Sequence, residues 1–447
     1  MNFQESVRYL LSLGRELAAP TQAAAAKFNL ENIRILAESL GHPEKNYPSA
    51  HIAGTNGKGS TAAFLESILR HAGYRTGLYT SPHLERINER IRIDGTEISD
   101  EAFAKVFSRI HRIIEKQLAR GQLRAHPTFF ECVTAIAFVH FAEARVQFAV
   151  VETGLGGRLD ATNILVPQVS IITRVDFDHE NFLGHSLREI AGEKAGIIKP
   201  GVPVVIAEQH EEARDVLVAK ARELNSPVIE ALTALQVVSQ KMLDGRVRAA
   251  AQEIVTGTRF EITPQLAGRF QLQNALSAIV AARALRSPGF RIDDAAIETG
   301  IATAVWPGRI EKVQSGPDVY LDGAHNPSAA RELAAFLEEN LNGRKIIVIF
   351  GALRDKAVDE IAGVLFPLAS KVMFTEPRTP RAISASQLAE ITGHHAARFE
   401  IISDVEQALE AALAQSTLTD VICVTGSLYL VGELRHRWPS KASTHTY

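Results

Sequence analysis

The pattern of apolar and polar positions changes along the chain, and its first part is typical of an α/β fold. Between residue 50 and about residue 207, short β-rich runs alternate with stretches of helical spacing; the runs are SAHIAG, RTGLYT, QFAVVET, VSIITRV and VPVVIA. Strands that alternate with helices predict a mostly parallel sheet with helices on both faces. Ligands of such sheets bind beyond the carboxyl ends of the strands.

A different pattern occupies the middle of the chain. Within residues 233–263, the runs VRAAAQEIV and TRFEIT alternate apolar and polar positions, which predicts about three antiparallel strands. The segment QLQNALSAIVAARAL at 271–285 then has helical spacing and predicts a long helix. A small antiparallel segment is therefore expected between two α/β series.

The second α/β series begins after Trp306-Pro307-Gly308-Arg309. Strands are predicted at DVYLD, KIIVIF, KVMFTE and DVICVTG, with helices from about Ser328 and near 386–391. Proline followed by glycine at 307–308 fits a domain junction. We therefore predict a larger, mostly parallel-sheet domain over residues 1–304, a linker over 305–311 and a smaller α/β domain over 312–447.

The stretch HIAGTNGKGS at 51–60 joins an apolar run to a helical one. The common nucleotide-binding pattern is not matched, because Gly59 separates Lys58 from Ser60. Gly54, Gly57 and Gly59 nevertheless allow successive backbone N–H groups to face one anion, and the following helix adds the positive end of its dipole. We predict a phosphate-binding loop here; an ordinary glycine-rich turn before a helix is the alternative.

Composition narrows the class of partner. The 447 residues suggest two or three domains, and the 46% apolar and 22% charged content is that of a soluble globular protein. A formal net charge of −3 gives no reason to expect nucleic acid or an anionic membrane, so small molecules are the expected partners.

The cysteines and the N-terminus bear on location. Cys132 and Cys423 both sit in apolar surroundings far apart in the chain, which argues against a disulfide scaffold and fits a reducing compartment. The N-terminal segment lacks a basic stretch followed by a long apolar one, and no run approaches the ~18 residues that span a bilayer. We predict a cytoplasmic, monomeric protein.

Three candidate metal-binding side chains follow strands of the first series. Glu152 ends the apolar run FAVVE, where a carboxylate facing bound phosphate could hold Mg²⁺; a solvated strand-end acid is the alternative. His179 follows the strand near 169–175 and could bind metal or phosphate, although a lone histidine is more often structural. Ser81 could offer its hydroxyl to a metal or simply form a turn with Pro82.

Further candidates lie later in the chain. Lys194 alone favours a solvated charge on a helix. In YLDGAHNP, Asp322 and His325 form an acid and an imidazole three residues apart that could bind a cation or an amino group, while the following asparagine and proline suit the start of a helix. Arg309 at the junction could reach a phosphate from between the domains, with a surface salt bridge as the alternative.

Taken together, these segments resemble the folylpolyglutamate synthase and dihydrofolate synthase family, within the wider group of Mur-type ATP-dependent amide ligases. The resemblance runs in order over nearly the whole chain through HIAGTNGKGST, YTSPHLERINERIRIDG, TFFE, VVETGLGGRLDATN, DHENFLG, EKAGIIKPG, QLQNALSAI, WPGR, LDGAHNP, GALRDK and VTGSLYLVGE. It implies a P-loop ATPase domain of the Mur-ligase central type followed by a Rossmann-like, glutamate-binding domain. Gly59 becomes a family variant of the loop.

The resemblance also implies roles for the candidate residues. It implies that ATP phosphates lie on the loop formed by Gly54, Thr55, Asn56, Gly57, Lys58, Gly59 and Ser60. Mg²⁺ would be held by Ser81, Glu152 and His179, and a second ion by Lys194 once that lysine is carbamylated, which reverses the solvated-charge interpretation. Asn274 and Arg309 match positions at ATP, Asp322 matches one at the nucleotide or the domain interface, and His325 would lie near the incoming glutamate.

The implied reaction joins L-glutamate to a pterin-linked carboxylate. ATP would convert the carboxylate to an acyl phosphate, the amine of glutamate would attack it, and closure of two domains would exclude water. The acceptor would be dihydropteroate or a folate. GRLDATN and ERINERIR look more like bacterial bifunctional enzymes than like enzymes that only extend, while Asp176 and Ala357 depart from the family pattern.

Two other functions stay open on the sequence alone. One is an enzyme of the wider group that adds an amino acid to a nucleotide-linked muramyl peptide, which the Gly59 loop disfavours. The other is a nucleotide-regulated binding protein without turnover, which need not keep Glu152, His179 and Lys194 together.

Overall fold

The first sheet is built from strands whose apolar runs are buried on both faces. The computed structural model describes residues 1–14, 29–287 and 289–438. The strands of this sheet are β1 (Ser49–Ala53), β2 (Thr76–Tyr79), β3 (Ile91–Ile93), β4 (Thr96–Glu97), β5 (Phe148–Glu152), β6 (Val169–Ile172), β7 (Val204–Ile206) and β8 (Val228–Glu230). They lie in the order β4-β3-β2-β5-β1-β6-β7-β8. Strands β2, β5, β1, β6, β7 and β8 pair in parallel, whereas β3 and β4 add an antiparallel edge beside β2.

Helices cover both faces of this sheet. Along β5, Phe148 and Val150 join one apolar cluster, while Ala149 and Val151 join another, because successive side chains of a strand point to opposite faces. The helices of this part are α1 (Phe3–Ser12), α2 (Glu31–Ser39), α3 (Lys58–His71), α4 (Asp100–Ala119), α5 (Phe129–Glu143), α6 (Glu180–Leu183), α7 (Leu187–Ala195), α8 (Glu211–Glu223) and α9 (Ala231–Ala234).

A three-stranded antiparallel sheet follows, as predicted. Its strands are β9 (Leu235–Leu243), β10 (Arg246–Glu253) and β11 (Arg259–Ile262), in the order β11-β10-β9. Alternate residues such as Val247, Ala249 and Phe260 are buried in the apolar cluster that also contains helix α10 (Gln271–Leu285). Helix α10 has the predicted bounds, and α11 (Asp294–Thr303) follows it.

The second large sheet contains the remaining strands. They are β12 (Glu311–Gln314), β13 (Asp318–Leu321), β14 (Ile346–Phe350), β15 (Lys371–Phe374), β16 (Phe399–Ile401) and β17 (Val421–Thr425), in the order β12-β13-β17-β14-β15-β16. Only β12 is antiparallel to its neighbour among the described strands of this sheet. Its helices are α12 (Pro327–Leu341), α13 (Val358–Leu365), α14 (Ala385–Thr392), α15 (Val405–Ala414) and α16 (Leu428–Arg435).

The α/β class, the mostly parallel first sheet and a second α/β unit are therefore confirmed. The bounds 1–304, 305–311 and 312–447 stay a prediction. Strands β3, β4, β8, β12 and β16 lie outside the predicted set because each is short and at least partly exposed, so it lacks a continuous buried apolar run. Within the described residues, no helix has the length and apolarity needed to cross a membrane.

Candidate functional site

The carboxyl ends of the central parallel strands open into a cleft that faces the second sheet. Strands β1, β2 and β5 are neighbours in the sheet, so the segments that follow them meet at one edge. The cleft has a volume of about 200 Å³. Every predicted site residue lines it: Gly54, Thr55, Asn56, Gly57, Lys58, Gly59, Ser60, Ser81, Glu152, His179, Lys194, Asn274, Arg309, Asp322 and His325.

The glycines of the loop are needed for close approach as well as for its turns. Gly57 lies immediately before α3 with φ of 88°, and a Cβ there would collide with the Asn274 side-chain oxygen. A Cβ on Gly59 would lie 2.7 Å from Nε1 of Trp306. The position that departs from the common nucleotide-binding pattern is therefore covered by an indole ring from the segment between the two sheets. Helix α3 begins at Lys58, so the last residues of the stretch 51–60 form its first turn.

Two lysines converge on one backbone carbonyl of the loop. Lys58 Nζ donates to Gly54 O at 3.0 Å and to Thr55 O at 3.1 Å, and Lys194 Nζ donates to the same Gly54 O at 2.9 Å. Burial lowers the pKa of Lys58 and, with the nearby charge of Lys58, lowers the pKa of Lys194 to about 7. Lys194 is only 3% exposed. The solvated-charge interpretation of Lys194 from its own sequence context is therefore wrong.

Glu152 and His179 lie on the wall of the cleft beside the loop. Glu152 is 3% exposed and accepts a hydrogen bond from the Ser81 N–H at 3.2 Å. Burial raises the pKa of Glu152 to about 7, although Lys58 opposes this. His179 has left-handed backbone geometry with φ of 52°, and burial lowers its pKa. Its buried Nδ1 atom has no hydrogen-bond partner among the described residues.

A second polar network crosses the cleft and was missed by the sequence interpretation. Lys356 Nζ lies 2.7 Å from Asp178 Oδ1, and both side chains are less than 10% exposed. Asn326 Nδ2 donates to Asp178 Oδ2 at 3.2 Å and to Asn56 Oδ1 at 3.0 Å. Burial would raise the pKa of Asp178, but Lys356 and the neighbouring histidines hold it well below its usual range. The network thus joins the loop at residues 54–60 to the start of α12.

The Asp322–His325 turn lies on the opposite wall. The Asp322 carboxylate accepts hydrogen bonds from Ile310 N–H at 2.8 Å and Ala324 N–H at 2.9 Å. Burial raises the pKa of Asp322, and burial also lowers the pKa of Arg309. His325 places Nδ1 at 2.7 Å from Gly323 O and Nε2 at 3.5 Å from Asp178 Oδ2.

These contacts show that some side chains of the cleft hold the protein backbone in place. Asp322 is occupied by backbone N–H groups of the linker and of its own turn, so it fixes the junction in place. Asn326 accepts from Ala329 N–H at 2.8 Å and caps α12, with Pro327 in the first turn, as the sequence predicts. Asp178 and Lys356 had a signal in the sequence, since they lie in the segments DHENFLG and GALRDK that carry the family resemblance, but nothing there indicated that they pair.

Comparisons with known proteins were consistent with this geometry. Residues 52–282 match the Mur ligase middle domain, and residues 308–428 match the Mur ligase, glutamate ligase domain. The chain is 37% identical over 419 residues to the dihydrofolate synthase/folylpolyglutamate synthase of Bacillus subtilis, covering 92% of this chain and 95% of that protein. The Escherichia coli protein of the same name is 34% identical and covers 91% of this chain and 90% of its own length.

Solved structures show the same similarity in three dimensions. Mycobacterium tuberculosis folylpolyglutamate synthase complexed with ADP has a TM-score of 0.89 and 31% identity, with 98% of each chain covered. E. coli FolC in complex with DHPP and ADP has a TM-score of 0.84 and 30% identity, covering 98% of this chain and 97% of that one. The family resemblance seen in the sequence is confirmed: this chain belongs to the dihydrofolate synthase/folylpolyglutamate synthase family, built from Mur ligase domains.

Proposed function

We propose that this chain is an ATP-dependent ligase that joins L-glutamate to a pterin-linked carboxylate, acting as both dihydrofolate synthase and folylpolyglutamate synthase. One observation supports this most strongly: the phosphate loop, the strand-end acid Glu152 and the Asp322–His325 turn face a single cleft between the two sheets. A binding protein without turnover would not require the second-sheet residues to face the phosphate loop.

The reaction would proceed by activation and then attack. The terminal phosphoryl group of ATP passes to a carboxylate oxygen of the acceptor, and ADP leaves. The amine of L-glutamate then attacks the acyl carbon, the C–N bond forms, and the C–O bond to phosphate breaks. Lys58, at the first turn of α3, would offset charge on the transferring group, and Asn274 and Arg309 would contact the nucleotide. Relatives solved with ADP support the use of ATP.

The residues on the wall fit a magnesium ion. Glu152 offers a buried carboxylate beside the phosphate loop, and His179 offers an imidazole nitrogen that is buried and lacks a hydrogen-bond partner among the described residues. Carboxylate and phosphate oxygens are the preferred ligands of Mg²⁺, and we assign Ser81, Glu152 and His179 to hold it. When bound, Mg²⁺ would polarise the phosphoryl oxygens as a Lewis acid.

Lys194 is the proposed carrier of a carbamate that would hold a second ion. Its amine is buried and donates to Gly54 O of the loop, and burial together with the charge of Lys58 lowers its pKa to about 7, although Asp178 and Glu193 oppose this. Carbamylation would exchange a buried cation for an anion beside the phosphate site. Labelling with ¹³C-bicarbonate should give a carbamate NMR signal that is absent from Lys194→Arg, and an identical signal in that variant would reject the assignment.

Water exclusion and glutamate binding would come from the second sheet. Asn56 and Asn326 hydrogen-bond each other across the cleft, and the Lys356–Asp178 pair closes the same side. We place L-glutamate near His325, where an imidazole, an acid and a lysine stand close enough to meet its charged groups. A closed cleft protects an acyl phosphate from hydrolysis.

The remaining alternative concerns which acceptor the enzyme uses. The B. subtilis and E. coli relatives have names that give both activities, whereas a Lacticaseibacillus casei relative, 34% identical over 437 residues, is named folylpolyglutamate synthase alone. An enzyme that only extends folates is therefore the second candidate.

The deciding experiment measures phosphate release by the purified protein with ATP, Mg²⁺ and L-glutamate. Dihydropteroate and tetrahydrofolate are compared as acceptors, and the products are identified by mass. Turnover with both supports the bifunctional proposal. Turnover with tetrahydrofolate alone leaves a chain-extending enzyme, turnover with dihydropteroate alone leaves a dihydrofolate synthase, and turnover with neither rejects the proposed substrates.

A further inference from the structure

A group of metal-ligating side chains lies on the second α/β unit, outside the cleft described above. Asp359 is in the first turn of α13, and His394 and His395 are consecutive residues of the short 3₁₀ turn that follows α14. One ligand atom from each of the three lies within 4.8 Å of the others. We call these residues the Asp359–His394–His395 cluster.

The fold, and not local sequence, brings these residues together. Helices α13 and α14 pack through apolar residues such as Ile361 and Leu388, which belong to one buried cluster. The His395 ring lies against Gly363, where a Cβ would be 3.4 Å from the ring. Gly363 is four residues after Asp359 and therefore lies on the same face of the helix. The small residue leaves room for an imidazole directed along that face toward the carboxylate.

The spacing of the donor atoms suits a shared ion. His395 Nε2 lies 3.0 Å and His394 Nε2 lies 3.6 Å from the same Asp359 Oδ1 atom. Two ligands at tetrahedral positions on Zn²⁺, each roughly 2.0 Å away, are separated by roughly 3.3 Å. The two observed distances lie on either side of that value. A simple hydrogen bond accounts for His395 but not for the second imidazole, whose ring centre lies 3.9 Å from that of His395.

We propose that the Asp359–His394–His395 cluster is a binding site for a borderline transition-metal ion such as Zn²⁺ or Co²⁺. Two imidazole nitrogens and one carboxylate are a ligand set that such ions prefer, whereas Mg²⁺ prefers oxygen ligands. His394 and Asp359 are about 60% exposed, so an ion can reach the site from solvent and water can complete its coordination.

The Asp359–His394–His395 cluster lies close in the chain to a residue of the cleft. Helix α13 begins two residues after Lys356, the residue that pairs with Asp178. An ion shared by Asp359 and the two histidines would tie the first turn of α13 to the turn after α14. It would therefore restrain the backbone that leads to Lys356 without touching any of the proposed substrates.

The test uses the full-length protein after treatment with a chelator, in excess Mg²⁺ so that oxygen-ligand sites are filled. Co²⁺ is titrated while its visible absorption is recorded, and Zn²⁺ is used as a competitor. The variants are Asp359→Asn, His394→Ala and His395→Ala. The matched control is His436→Ala, because His436 is also exposed beside a carboxylate, Glu406, at 3.6 Å, but within the described part of the chain no second imidazole joins that pair.

We expect saturable binding of one Co²⁺ ion that His394→Ala and Asp359→Asn weaken at least tenfold and that His436→Ala leaves unchanged. Zn²⁺ should also raise the midpoint of thermal unfolding in the parent protein and in His436→Ala, but not in His394→Ala. His394→Ala decides the matter because this exposed side chain contributes little packing, whereas His395→Ala removes a ring packed against α13. Undiminished Co²⁺ affinity in His394→Ala, or no saturable binding to the parent protein, would overturn the proposal.

Discussion

The two walls of the cleft hold their functional residues by different means. On the wall formed by the loop at residues 54–60, the lysines are fixed to backbone carbonyls, and glycines allow neighbouring side chains to pack directly against the chain. On the opposite wall, contacts across the cleft are made between side chains, chiefly Lys356 with Asp178 and Asn326 with Asn56. Contacts with the backbone persist as long as the loop is folded, whereas side-chain pairs can separate. We infer that the first wall is preorganised and that the second opens to admit substrates.

The largest effect is expected from Gly57→Ala on the loop wall. The substitution places a Cβ in left-handed geometry, which costs roughly 1–2 kcal/mol, and drives it into Asn274. We expect kcat/KM for ATP to fall by roughly 100-fold, which corresponds to about 2.7 kcal/mol. The control is Gly73→Ala, because Gly73 has φ of 87° but no neighbour within 4 Å. Equal losses in the two variants would show that the strain of a left-handed alanine, and not the collision with Asn274, accounts for the loss in Gly57→Ala.

On the opposite wall, Lys356→Met should act mainly on glutamate. It removes one member of a buried pair and leaves Asp178 without its strongest partner, a change that costs roughly 3–5 kcal/mol when the charge stays buried. We expect KM for L-glutamate to rise roughly tenfold, about 1.4 kcal/mol, while KM for ATP changes little. Steady-state kinetics with each substrate varied in turn measure the difference.

The control for this variant is Lys371→Met, which breaks the more exposed Lys371–Glu400 pair on the same sheet. That variant should keep both KM values. A larger rise in KM for ATP than for L-glutamate in Lys356→Met would contradict the division between the two walls.

The buried histidine in β1, the strand that leads into the loop, should make the stability of the protein depend on pH. His51 in β1 is fully buried, and burial, followed by the charge of Lys199, lowers its pKa from 6.5 to about 3. Between these values the unfolded chain binds a proton at His51 that the folded chain does not. The free energy of unfolding therefore falls as the pH drops from 6.5 towards 3, by at most about 1.4 kcal/mol per pH unit for this group.

Urea unfolding at several pH values measures this slope. The variant His51→Gln removes the titrating group and should flatten the dependence between pH 6 and pH 4. A slope as steep in His51→Gln as in the parent protein would assign the acid sensitivity to other residues.

The smallest expected effect is on the reactivity of the two thiols. Because one thiol lies in each core, the unfolding of the two cores can be measured separately. Cys132 is buried in the core of the first sheet and Cys423 in that of the second, and burial raises the pKa of both. We expect neither thiol to react with a disulfide reagent at pH 8 until its own core opens. Only Cys423 can react in Cys132→Ser, and only Cys132 can react in Cys423→Ser. The reaction rate of each variant in increasing urea therefore measures the opening of one core. Rapid labelling of either thiol in the native protein would contradict its burial.

The sequence was most informative where one run of residues determines the local structure. The run FAVVE is apolar throughout because β5 is buried on both faces, so its strand and the acid at its end were both predictable. The turn into a helix near residues 54–60 was predictable because its glycines and the first residues of α3 are adjacent in the chain. Phosphate binding by this loop stays a prediction. The helical spacing of QLQNALSAIVAARAL likewise predicted the bounds of α10.

Prediction failed where the partner is distant in the chain or the element is exposed. Strand β4 consists of two exposed residues, Thr96 and Glu97, at the edge of the first sheet, and it pairs only with β3 among the described strands. Asp178 and Lys356 are separated by 178 positions, and neither gives any sign of the other before the sheets are assembled. Lys194 has the same limitation: its burial depends on the loop at Gly54, which no local pattern around Lys194 contains.

The indole of Trp306 against Gly59 has an optical consequence. The chain has two tryptophans, and the other, Trp438, donates through Nε1 to Gln314 at the edge of the second sheet. Trp306 also lies under the guanidinium of Arg92, 5.6 Å from the ring centre, so its emission depends on the charge around it. The protein therefore contains its own fluorophore behind the loop at residues 54–60 and a reference fluorophore away from it, and rearrangement of the loop can be timed by stopped-flow emission without any attached dye.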